Sequence, residues 1–413
     1  MKNLVGACMF AQSGGPTSVI NASAAGVFLE ALDQANITAV YGAANGIKGV
    51  LTEQFYDIGK EDRKELELLK YTPSSALGSV RYKLKNAAVD DTDYKRIVEV
   101  FQKYNIRYFF YNGGNDSMDT CNKISKYMQK SGWDCNVIGV PKTIDNDLYG
   151  TDHCPGYASA AKYIATTIME VNLDAKVYDT PMVCVIECMG RNAGWLTAAA
   201  ALAGYKGLGA DLIYLPEVAF DVDKFIDDVK NVCAKNNNKC IAVVSEGIHD
   251  KNGELICELV SKGARDSFGH AQLGGVAATL ANIIKEKTGF KTRGIELSLM
   301  QRCGAHLASK VDVEETFEAG RQAVKAAVNG ETDKMVCYER QPGGEYKCEY
   351  RLLPLELAAN TEKTVPLNWI TNNGTYISEE YVKYALPLIQ GDCKAPLEDG
   401  LPRFAHLKKI LVK

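Results

Sequence analysis

The feature that most constrains this chain is a recurring alternation of short apolar runs, glycine-rich or polar loops, and segments with helical periodicity. Leu4 to Gln12 is such an apolar run, and it ends in Ser13-Gly-Gly-Pro-Thr17 before a predicted helix from Ser18. Apolar runs of this length followed by amphipathic segments are typical of βα units around a parallel sheet. The alternation therefore predicts an α/β fold.

The same alternation recurs in both halves of the chain. The predicted strands, each with the loop that follows it, are Arg107 to Tyr111 with Gly113-Gly-Asn-Asp-Ser117, Val137 to Val140 with Pro141-Lys-Thr-Ile-Asp-Asn-Asp147, Pro181 to Cys188 with Met189-Gly-Arg-Asn-Ala-Gly-Trp195, and Cys240 to Val244 with Ser245-Glu-Gly247. Helices are predicted from Ser117 to about Gln129, after Trp195, and over Tyr157 to Val171, Gln272 to Lys287 and Val313 to Asn329. Gln341-Pro-Gly-Gly-Glu345 predicts a hairpin turn.

Length and charge narrow the class of protein. With 413 residues the chain exceeds the size at which one hydrophobic core usually keeps growing, so we expect two domains. Hydrophobic residues make up 46% and charged residues 24%, the balance of an ordinary globular protein. The net charge is −4 with both signs interspersed, so we expect neither a nucleic acid nor a membrane surface as partner. An anionic ligand must then be held by local groups.

The cysteines and the N-terminus indicate the compartment. There are thirteen Cys, an odd number at unrelated spacings and often inside apolar runs such as Met182 to Cys188, which fits reduced and buried thiols. The sequence has no CxxC pair, which argues against a structural zinc site. The apolar stretch within Met1 to Phe10 is too short for a signal peptide or a membrane span. We therefore expect a cytoplasmic protein.

The loops carry the chemistry, because in open α/β sheets ligands bind beyond the carboxyl ends of the strands. Three of these loops are glycine-rich and open helices, so backbone N–H groups can approach an anion closely. A lone Gly14-Gly15 pair would more often be a simple turn, but several such loops together favour a phosphate site. Neither GxxxxGK[ST] nor GxGxxG occurs, so the sequence supports neither a P-loop nucleotidase nor a dinucleotide-binding oxidoreductase.

Lys142-Thr-Ile-Asp-Asn-Asp147 is the most informative loop, since it brings an ammonium group, a hydroxyl, an amide and two carboxylates to one strand end. An isolated Asp-Asn-Asp is more often a solvated turn, by roughly two to one. Here the neighbouring loops reverse that preference. A carboxylate can accept a proton from a hydroxyl, a second can hold Mg²⁺, and a lysine can neutralise a phosphoryl donor. These are the groups that phosphoryl transfer requires.

These loops resemble the motifs of the phosphofructokinase family, in the family's order and with compatible spacing over residues 4 to 330. The matching motifs are Ser13-Gly-Gly15, Leu77-Gly-Ser-Val-Arg81, Gly113-Gly-Asn-Asp-Ser117, Pro141-Lys-Thr-Ile-Asp-Asn-Asp147, Met189-Gly-Arg-Asn-Ala-Gly-Trp195, Ser245-Glu-Gly247 and Gln301-Arg302. The resemblance implies two Rossmann-like α/β domains with the active site in the cleft between them. It also implies phosphoryl transfer to the C1 hydroxyl of fructose 6-phosphate, and Mg²⁺ as cofactor.

The resemblance implies a domain division and residue roles. We expect residues 1–155, with 306–360 returning to them, to bind the donor; residues 156–305 bind the sugar phosphate, and 361–413 pack across both. Asp145 is implied as the general base, with the other catalytic groups being Lys142, Thr143, Asp147 and Arg191. The implied donor site comprises Gly14, Gly15, Arg81, Gly114, Asp116, Ser117 and Lys142. The implied sugar-phosphate pocket comprises Thr143, Asp145, Met189, Gly190, Arg191, Glu246, Arg293 and Arg302. Asn115 and Asp147 are the implied Mg²⁺ residues.

Two positions bear on the phosphoryl donor. ATP-dependent members of the family typically carry glycine at the positions of Asp116 and Lys142, whereas pyrophosphate-dependent members are similar to this chain at both. The Asp116 carboxylate would project into the space of a nucleotide α-phosphate and repel it. Because some ATP-using relatives share the lysine, Asp116 is the stronger marker. We therefore expect reversible transfer from pyrophosphate, giving fructose 1,6-bisphosphate and phosphate.

The chain departs from the family pattern at three places. Asn115 stands where the family has a carboxylate, which weakens the expected Mg²⁺ site. Leu299-Met300 replaces the stretch that usually holds a histidine before Gln-Arg. Met182 stands where many relatives place an arginine that reaches into a neighbouring subunit's site. Arg293 remains a candidate for that cross-subunit contact, so we expect a homodimer or homotetramer.

Three alternatives stay open at this level. The chain could use ATP as donor, or it could take a different acceptor such as sedoheptulose 7-phosphate, because Leu299 alters the sugar pocket. It could also be a non-catalytic regulatory subunit that binds sugar phosphate. The presence of Asp145 and Arg191 argues against that last alternative, since a subunit without catalysis would be expected to have lost its base.

Overall fold

The computed structural model describes residues 4–259, 275–359 and 361–412. The strands are β1 Gly6–Gln12, β2 Ile37–Ala43, β3 Phe55–Asp57, β4 Ile106–Gly113, β5 Asn136–Pro141, β6 Met182–Cys188, β7 Leu212–Tyr214, β8 Lys239–Ser245, β9 Lys291–Glu296, β10 Lys334–Arg340, β11 Cys348–Pro354, β12 Ile370–Thr371, β13 Tyr376–Ile377, β14 Leu397–Glu398 and β15 Leu401–Pro402. The α-helices are α1 Ile20–Leu32, α2 Ile47–Leu51, α3 Arg63–Leu68, α4 Thr92–Lys103, α5 Asn115–Ser131, α6 Tyr157–Lys176, α7 Trp195–Ala198, α8 Ala200–Gly204, α9 Val222–Lys235, α10 Val276–Thr288, α11 Met300–Cys303, α12 Lys310–Val328, α13 Leu355–Ala358 and α14 Glu379–Ala385.

The larger sheet has seven strands in the order β11-β10-β5-β4-β1-β2-β3. Its five inner strands run parallel, and the edge strands β3 and β11 are antiparallel to their neighbours. Every residue of β1 and β5 is buried, as expected for strands that helices cover on both faces.

Alternate residues of the inner strands pack into two separate layers. Phe10 and Tyr108 face α1 and α12, whereas Met9 and Phe109 face α4 and α5. This follows from the two-residue period of a strand, which sends successive side chains to opposite faces. The apolar runs predicted from the sequence are therefore continuous because both faces are buried.

The smaller sheet has four parallel strands in the order β7-β8-β6-β9. The inner strands β6 and β8 are entirely buried. The edge strand β9 is largely exposed along its length. The parallel sheets with interleaved helices confirm the predicted α/β fold class, with two α/β units.

Most predicted elements are present with shifted ends. The helix predicted from Ser18 begins at Ile20, and α12 begins at Lys310, three residues before the predicted start. The prediction of a single helix after Trp195 was wrong, since the two short helices α7 and α8 occur there. The predicted turn at Gln341 is confirmed: β10 and β11 pair antiparallel around it, and its N–H donates to the Lys347 carbonyl at 2.9 Å. Residues 272–274 of a predicted helix lie outside the described residues.

The strands divide between the sheets by sequence position. Residues 6–141 and 334–354 supply the larger sheet, and residues 182–296 supply the smaller one. The C-terminal segment touches both units: the Val412 N–H donates to Phe55 O at 2.9 Å, and the Tyr381 hydroxyl donates to Trp195 O at 2.9 Å. The predicted domain boundaries are compatible with this distribution and stay a prediction.

No helix among the described residues is long and apolar enough to cross a lipid bilayer. Ten of the thirteen cysteines, including Cys8 and Cys184, are buried. Met182 stands where many members of the family have an arginine. It lies at the start of β6 and is 1% exposed. It packs in the core of the second unit.

Candidate active site

A cavity of about 460 Å³ lies where the carboxyl ends of the two parallel sheets face each other. The loops after β1, β4 and β5 line it from the larger sheet, and the loops after β6 and β8 line it from the smaller one. Each of these strands is buried, so the loop that follows it starts from a fixed point. The loops singled out in the sequence therefore meet in one place.

The glycine loop after β1 forms one wall. Gly14 has a φ of 78°, which favours glycine, and a Cβ there would lie 3.2 Å from Lys142 Nζ. A Cβ at Gly15 would lie 2.9 Å from Nη1 of Arg302. The Ser79 hydroxyl donates to Gly14 O at 2.6 Å and so joins this loop to the segment that carries Arg81. Because Gly14 and Gly15 have no side chains, their backbone and the neighbouring cationic groups face the same space.

Three cations converge at this wall: Lys142, Arg81 and Arg302. Lys142 is only 4% exposed, and burial lowers its pKa to about 8, with Asp145 and Asp147 opposing the shift and the two arginines adding to it. Burial and the neighbouring Arg81 also lower the pKa of Arg302. Positive groups gathered this closely, with lowered pKa values at Lys142 and Arg302, form a site for a multiply charged anion.

The acidic groups lie beside these cations. Burial raises the pKa of Asp145, although Lys142, Arg191 and Arg302 all pull it back down. Burial also raises the pKa of Glu246 to about 7. A carboxylate with a raised pKa next to fixed positive charge is suited to accept a proton from a bound hydroxyl.

Asp147 and Asn115 form a paired group from neighbouring loops. Asn115 Nδ2 donates to Asp147 Oδ2 at 2.9 Å, while Asn115 Oδ1 and Asp147 Oδ1 are both buried without a hydrogen-bond partner. Burial, Asp145 and Glu362 together raise the pKa of Asp147 to about 7. Buried oxygens without donors are the ligands that a hard divalent cation prefers, so the residues present fit Mg²⁺.

In the second unit, the loops that follow β6 and β8 pack tightly against each other. The Gly190 N–H donates to Glu246 Oε1 at 3.1 Å, and the Met189 N–H donates to Gln301 Oε1 at 3.1 Å. Gly190 has a φ of 130°, and a Cβ at Gly247 would lie 1.9 Å from Arg191 O. Only glycines allow these loops to approach so closely, and their packing fixes the positions of Glu246 and Arg191.

Helix α5 begins at the cavity wall. Its first residue is Asn115, and Asp116 lies exposed in its first turn. Ser117 is buried behind it, and its Oγ occupies the space that a Cβ at Gly113 would need, at 2.0 Å. Asp116 itself lines the cavity together with the glycine loop.

The cavity brings together most of the residues predicted from the sequence. Those lining it are Gly14, Gly15, Arg81, Gly114, Asn115, Asp116, Ser117, Lys142, Thr143, Asp145, Asp147, Met189, Arg191, Glu246 and Arg302. Gly190 lies behind the lining through its bond to Glu246. Arg293 does not line this cavity; it lies on the exposed edge strand β9. The residue roles stay predictions.

Sequence reasoning missed several polar residues of the lining, among them Glu362 and Asn192. Glu362 reaches the cavity from the C-terminal segment, and Asn192 Nδ2 donates to its two carboxylate oxygens at 3.0 and 3.1 Å. Asn192 lies inside the recognised Met189 to Trp195 loop, so the loop itself was a usable signal. Glu362 follows a stretch without a motif, and only the fold reveals it.

The comparisons with known proteins agree with this geometry. The family model described as Phosphofructokinase matches residues 7–327. The pyrophosphate–fructose 6-phosphate 1-phosphotransferase of Halomonas elongata is 44% identical over 409 residues, covering 98% of this chain and 96% of that protein. The sulfofructose kinase of Alkalicoccus urumqiensis is 32% identical over 367 residues, covering 88% and 92%.

A solved structure is similar over nearly the whole chain. The pyrophosphate-dependent phosphofructokinase from Nitrosospira multiformis superposes with a TM-score of 0.89 at 40% identity, covering 99% of this chain and 98% of that one. The matched region contains every loop that lines the cavity from the two sheets. On this sequence, fold and site, the chain belongs to the phosphofructokinase family.

Proposed function

We propose that this chain transfers a phosphoryl group reversibly between pyrophosphate and the C1 hydroxyl of fructose 6-phosphate, giving fructose 1,6-bisphosphate and phosphate. The observation that carries the proposal is one cavity in which Lys142, Arg81 and Arg302 converge beside Asp145. Two anionic substrates and a hydroxyl that must lose a proton require these groups together. The relatives that are named for this reaction support the same assignment.

The chemistry follows from the positions of the side chains. The Asp145 carboxylate accepts the proton of the C1 hydroxyl while the C1 oxygen bonds to one phosphorus of pyrophosphate. The bond from that phosphorus to the bridging oxygen breaks, and its electrons leave with phosphate. Lys142 and Arg191 balance the charge that spreads over the transferring group. Asp145 then releases its proton to solvent.

The sugar phosphate belongs to the side of the second unit. Arg302 and Arg191 offer guanidinium groups that bind a phosphate in a bidentate manner. Glu246 faces the same space as an acceptor for sugar hydroxyls, and Met189 with Gly190 shapes the pocket around it. Thr143, whose hydroxyl accepts the Asp145 N–H at 3.1 Å, keeps the base at the end of this pocket.

Mg²⁺ is the cofactor that we assign to Asp147 and Asn115. The support is their two buried oxygens without hydrogen-bond partners. Bound there, the ion would neutralise charge on pyrophosphate and hold it in place. Asn115 supplies a neutral ligand, so Asp147 carries the charge of this pair. Isothermal titration with Mg²⁺ and pyrophosphate should show an affinity that falls in Asp147→Asn, and an unchanged affinity would contradict the assignment.

Asp116 gates the donor in this proposal. Its carboxylate lies in the first turn of α5 beside the glycine loop, where a nucleotide would extend beyond its β-phosphate. Repulsion of the α-phosphate excludes ATP, while pyrophosphate ends short of the carboxylate. Gly14, Gly15, Gly114 and Ser117 complete the donor side with backbone and hydroxyl donors.

The deciding experiment measures initial rates of fructose 1,6-bisphosphate formation with pyrophosphate or ATP as sole donor. The wild-type chain should react with pyrophosphate and show a negligible rate with ATP. Asp116→Gly should raise the ATP rate, whereas Asp116→Asn, which keeps the size but removes the charge, separates repulsion from steric exclusion. A wild-type rate with ATP alone would overturn the donor assignment, and silence with both donors would overturn the proposed reaction.

The acceptor is tested in the same assay. Fructose 6-phosphate, sedoheptulose 7-phosphate and 6-deoxy-6-sulfofructose differ in chain length and in the anionic group that the arginines bind. We expect the highest kcat/KM with fructose 6-phosphate. A higher value with either of the others would move the assignment to that acceptor while leaving the role of Asp145 unchanged.

We also propose the domain division stated above, with donor binding by residues 1–155 and 306–360 and sugar-phosphate binding by residues 156–305. The distribution of the strands between the two sheets supports it. Hydrogen exchange should detect it, because phosphate should protect amides after β1, β4 and β5, and fructose 6-phosphate those after β6 and β8. Protection of the same amides by both ligands would contradict the division.

A homodimer or homotetramer in the cytoplasm completes the proposal. Arg293 supports the oligomer: it lies on the exposed edge strand β9 and not in its own chain's cavity. The cysteines, of which ten are buried, suit a reducing compartment. Light scattering after size-exclusion chromatography tests the first part, and fractionation of the source cells tests the second. A monomer, or activity outside the cytoplasmic fraction, would contradict them.

A further inference from the structure

Asn146 lies between Asp145 and Asp147 in residues 145–152, which follow β5 and which we call the catalytic turn. It has a φ of 55°, in the left-handed region, and is fully buried. Its Oδ1 accepts the Cys154 N–H at 2.9 Å, and its Nδ2 donates to the Tyr384 hydroxyl at 2.9 Å. Asparagine tolerates this conformation better than most residues, but the side-chain bonds are what keep it in a single state.

Tyr384 belongs to α14, near the C-terminus of the chain. Its hydroxyl accepts from Asn146 and donates to Asp152 O at 2.8 Å. The Tyr384 hydroxyl oxygen therefore bridges Asn146, near the start of the turn, and Asp152, at its end. The Arg340 guanidinium stacks over the Tyr384 ring, 4.9 Å from its centroid, and donates to Tyr384 O at 2.9 Å. The tyrosine is therefore fixed at its ring and at its hydroxyl.

Lys363 holds the same turn from a second direction. Its N–H donates to Asp147 O at 2.8 Å, and its Nζ donates to Asp152 O at 2.7 Å and Thr151 O at 3.2 Å. Its carbonyl accepts the Trp195 Nε1–H at 2.9 Å. Trp195 ends the loop of the sugar-phosphate pocket. The same lysine therefore contacts the catalytic turn and the opposite wall of the cavity.

We propose that Tyr384 and Lys363 are positioning residues: they clamp the turn that carries Asp145 and fix it relative to the sugar-phosphate loop. Both lie beyond residue 327, where the match to the family model ends. The inference rests on the proposed function for its kinetic part. The physical reason is that a catalytic carboxylate gains its rate from a fixed position, and here the C-terminal segment holds the chain directly after Asp145, at Asn146 and Asp147.

Tyr384→Phe is the main test, because it removes only the hydroxyl and keeps the ring under Arg340. We expect kcat to fall by about 10- to 100-fold while both KM values stay within about twofold, since the base is displaced but the phosphate contacts are intact. Tyr214→Phe is the matched control: it removes a tyrosine hydroxyl that donates to Asp228 at 2.9 Å away from the cavity. An equal loss of kcat in both variants, or no loss in Tyr384→Phe, would overturn the proposal.

A double-mutant cycle tests whether Tyr384 acts through Asn146. Asn146→Gly keeps the left-handed backbone and deletes the amide that reaches the hydroxyl. If the two residues form one clamp, the Tyr384→Phe Asn146→Gly double variant is no slower than the slower single variant. Independent losses that multiply would contradict the clamp. Lys363→Met keeps a long, unbranched side chain and removes the ammonium group, and it should lower kcat in the same manner.

Hydrogen exchange gives a readout that does not depend on activity. The backbone amides of Asp145, which donates to Thr143 Oγ1, and of Cys154, which donates to Asn146 Oδ1, should exchange faster in Tyr384→Phe than in the wild type. Tyr214→Phe should leave them unchanged. Unchanged exchange in Tyr384→Phe would overturn the inference even if the enzyme proved to catalyse another reaction, whereas a wild-type chain inactive with pyrophosphate would overturn the proposed function alone.

Discussion

Lys142 illustrates how single residues obtain their properties in this cavity. A lysine that is 4% exposed loses solvation of its ammonium group, and burial lowers its pKa to about 8. Asp145 and Asp147 limit the shift, so that the side chain remains mostly protonated at pH 7. An anion that binds beside it would raise the pKa again and gain a poorly solvated partner. The cost of burying the lysine is thus recovered when the donor binds.

Asp145→Asn should abolish most of the activity. The amide keeps the size of the side chain but cannot accept the C1 proton, so we expect kcat to fall by about 10²- to 10⁴-fold with a smaller change in KM for fructose 6-phosphate. Steady-state rates with pyrophosphate measure both. Asp227→Asn, a surface carboxylate on α9, is the control and should react like the wild type. A variant that retains more than a tenth of the rate would exclude Asp145 as the base.

Glu246→Gln should change how stability depends on pH. Burial raises the pKa of Glu246 to about 7 in the folded chain, above the ordinary value of 4.5. The folded state therefore holds this proton more tightly than the unfolded chain, and its contribution to stability is lost as the pH rises through 7. The Tm of the variant relative to the wild type should increase from pH 5 to pH 8.

The control for this experiment is Glu345→Gln, in the exposed turn between β10 and β11. Its Tm difference from the wild type should stay flat over the same range. Asp147, whose pKa is also raised to about 7, is present in every variant and cancels in the comparison. A difference between Glu246→Gln and wild type that falls as pH rises would contradict the assigned direction.

At the scale of elements, α12 holds the larger unit to the rest of the fold. Asp312 in its first turn accepts the Gly156 N–H at 3.0 Å and the Ser159 N–H at 2.9 Å, and so caps α6, whose own N-cap residue is a glycine. Further along, α12 crosses α1 at a pair of glycines. A Cβ at Gly320 would lie 2.3 Å from Ser23 O, and one at Gly26 would lie 2.0 Å from Phe317 O.

Gly320→Ala should therefore destabilise the chain, although glycine to alanine in an ordinary helix stabilises by about 1 kcal/mol. The new methyl group meets backbone rather than a flexible side chain, so the helices must separate, at a cost of about 1–3 kcal/mol. Urea unfolding measures the change. Glu314→Ala, exposed on the same helix, has no such clash and should leave the midpoint nearly unchanged. A stabilised Gly320→Ala variant would show that the helices do not approach so closely.

The whole molecule is arranged around the cavity between the two sheets, with the C-terminal segment crossing behind it. Residues 361–412 contact β3 at Phe55, the catalytic turn at Asp147 and the second unit at Trp195. Groups from distant parts of the chain therefore share one rigid frame. Arg293 is the exception, because β9 presents it at the outer edge of the smaller sheet.

If Arg293 serves a neighbouring subunit, two inactive variants should restore each other. Arg293→Ala and Asp145→Asn each remove one component of a shared site, so a mixed oligomer contains some sites with both components intact. We expect mixing after dissociation and reassociation to restore roughly a quarter of the wild-type rate for a shared dimeric site. Lys230→Ala, a surface cation on α9, mixed with Asp145→Asn, controls for simple dilution. Additive rates without recovery would exclude a cross-subunit role.

The sequence by itself determined the α/β class, the positions of the strand-end loops and most of the residues that line the cavity. These are local properties: strand burial produces continuous apolar runs, and close backbone approach requires glycine at Gly14 or Gly190. The boundaries of helices were less accurate: α6 begins at Tyr157 as predicted but extends five residues past its predicted end, and α12 begins three residues before its predicted start.

Only the tertiary structure decided the contributions of Glu362, Tyr384 and Lys363, which lie more than 200 residues from the turn that they contact. Their neighbours in sequence carry no motif, so their role depends on where the C-terminal segment packs. The raised pKa of Glu246 and the lowered pKa of Lys142 are likewise properties of burial and of charges brought from separate loops. Local sequence specifies which groups are present, and the packing of distant segments sets their charge and position.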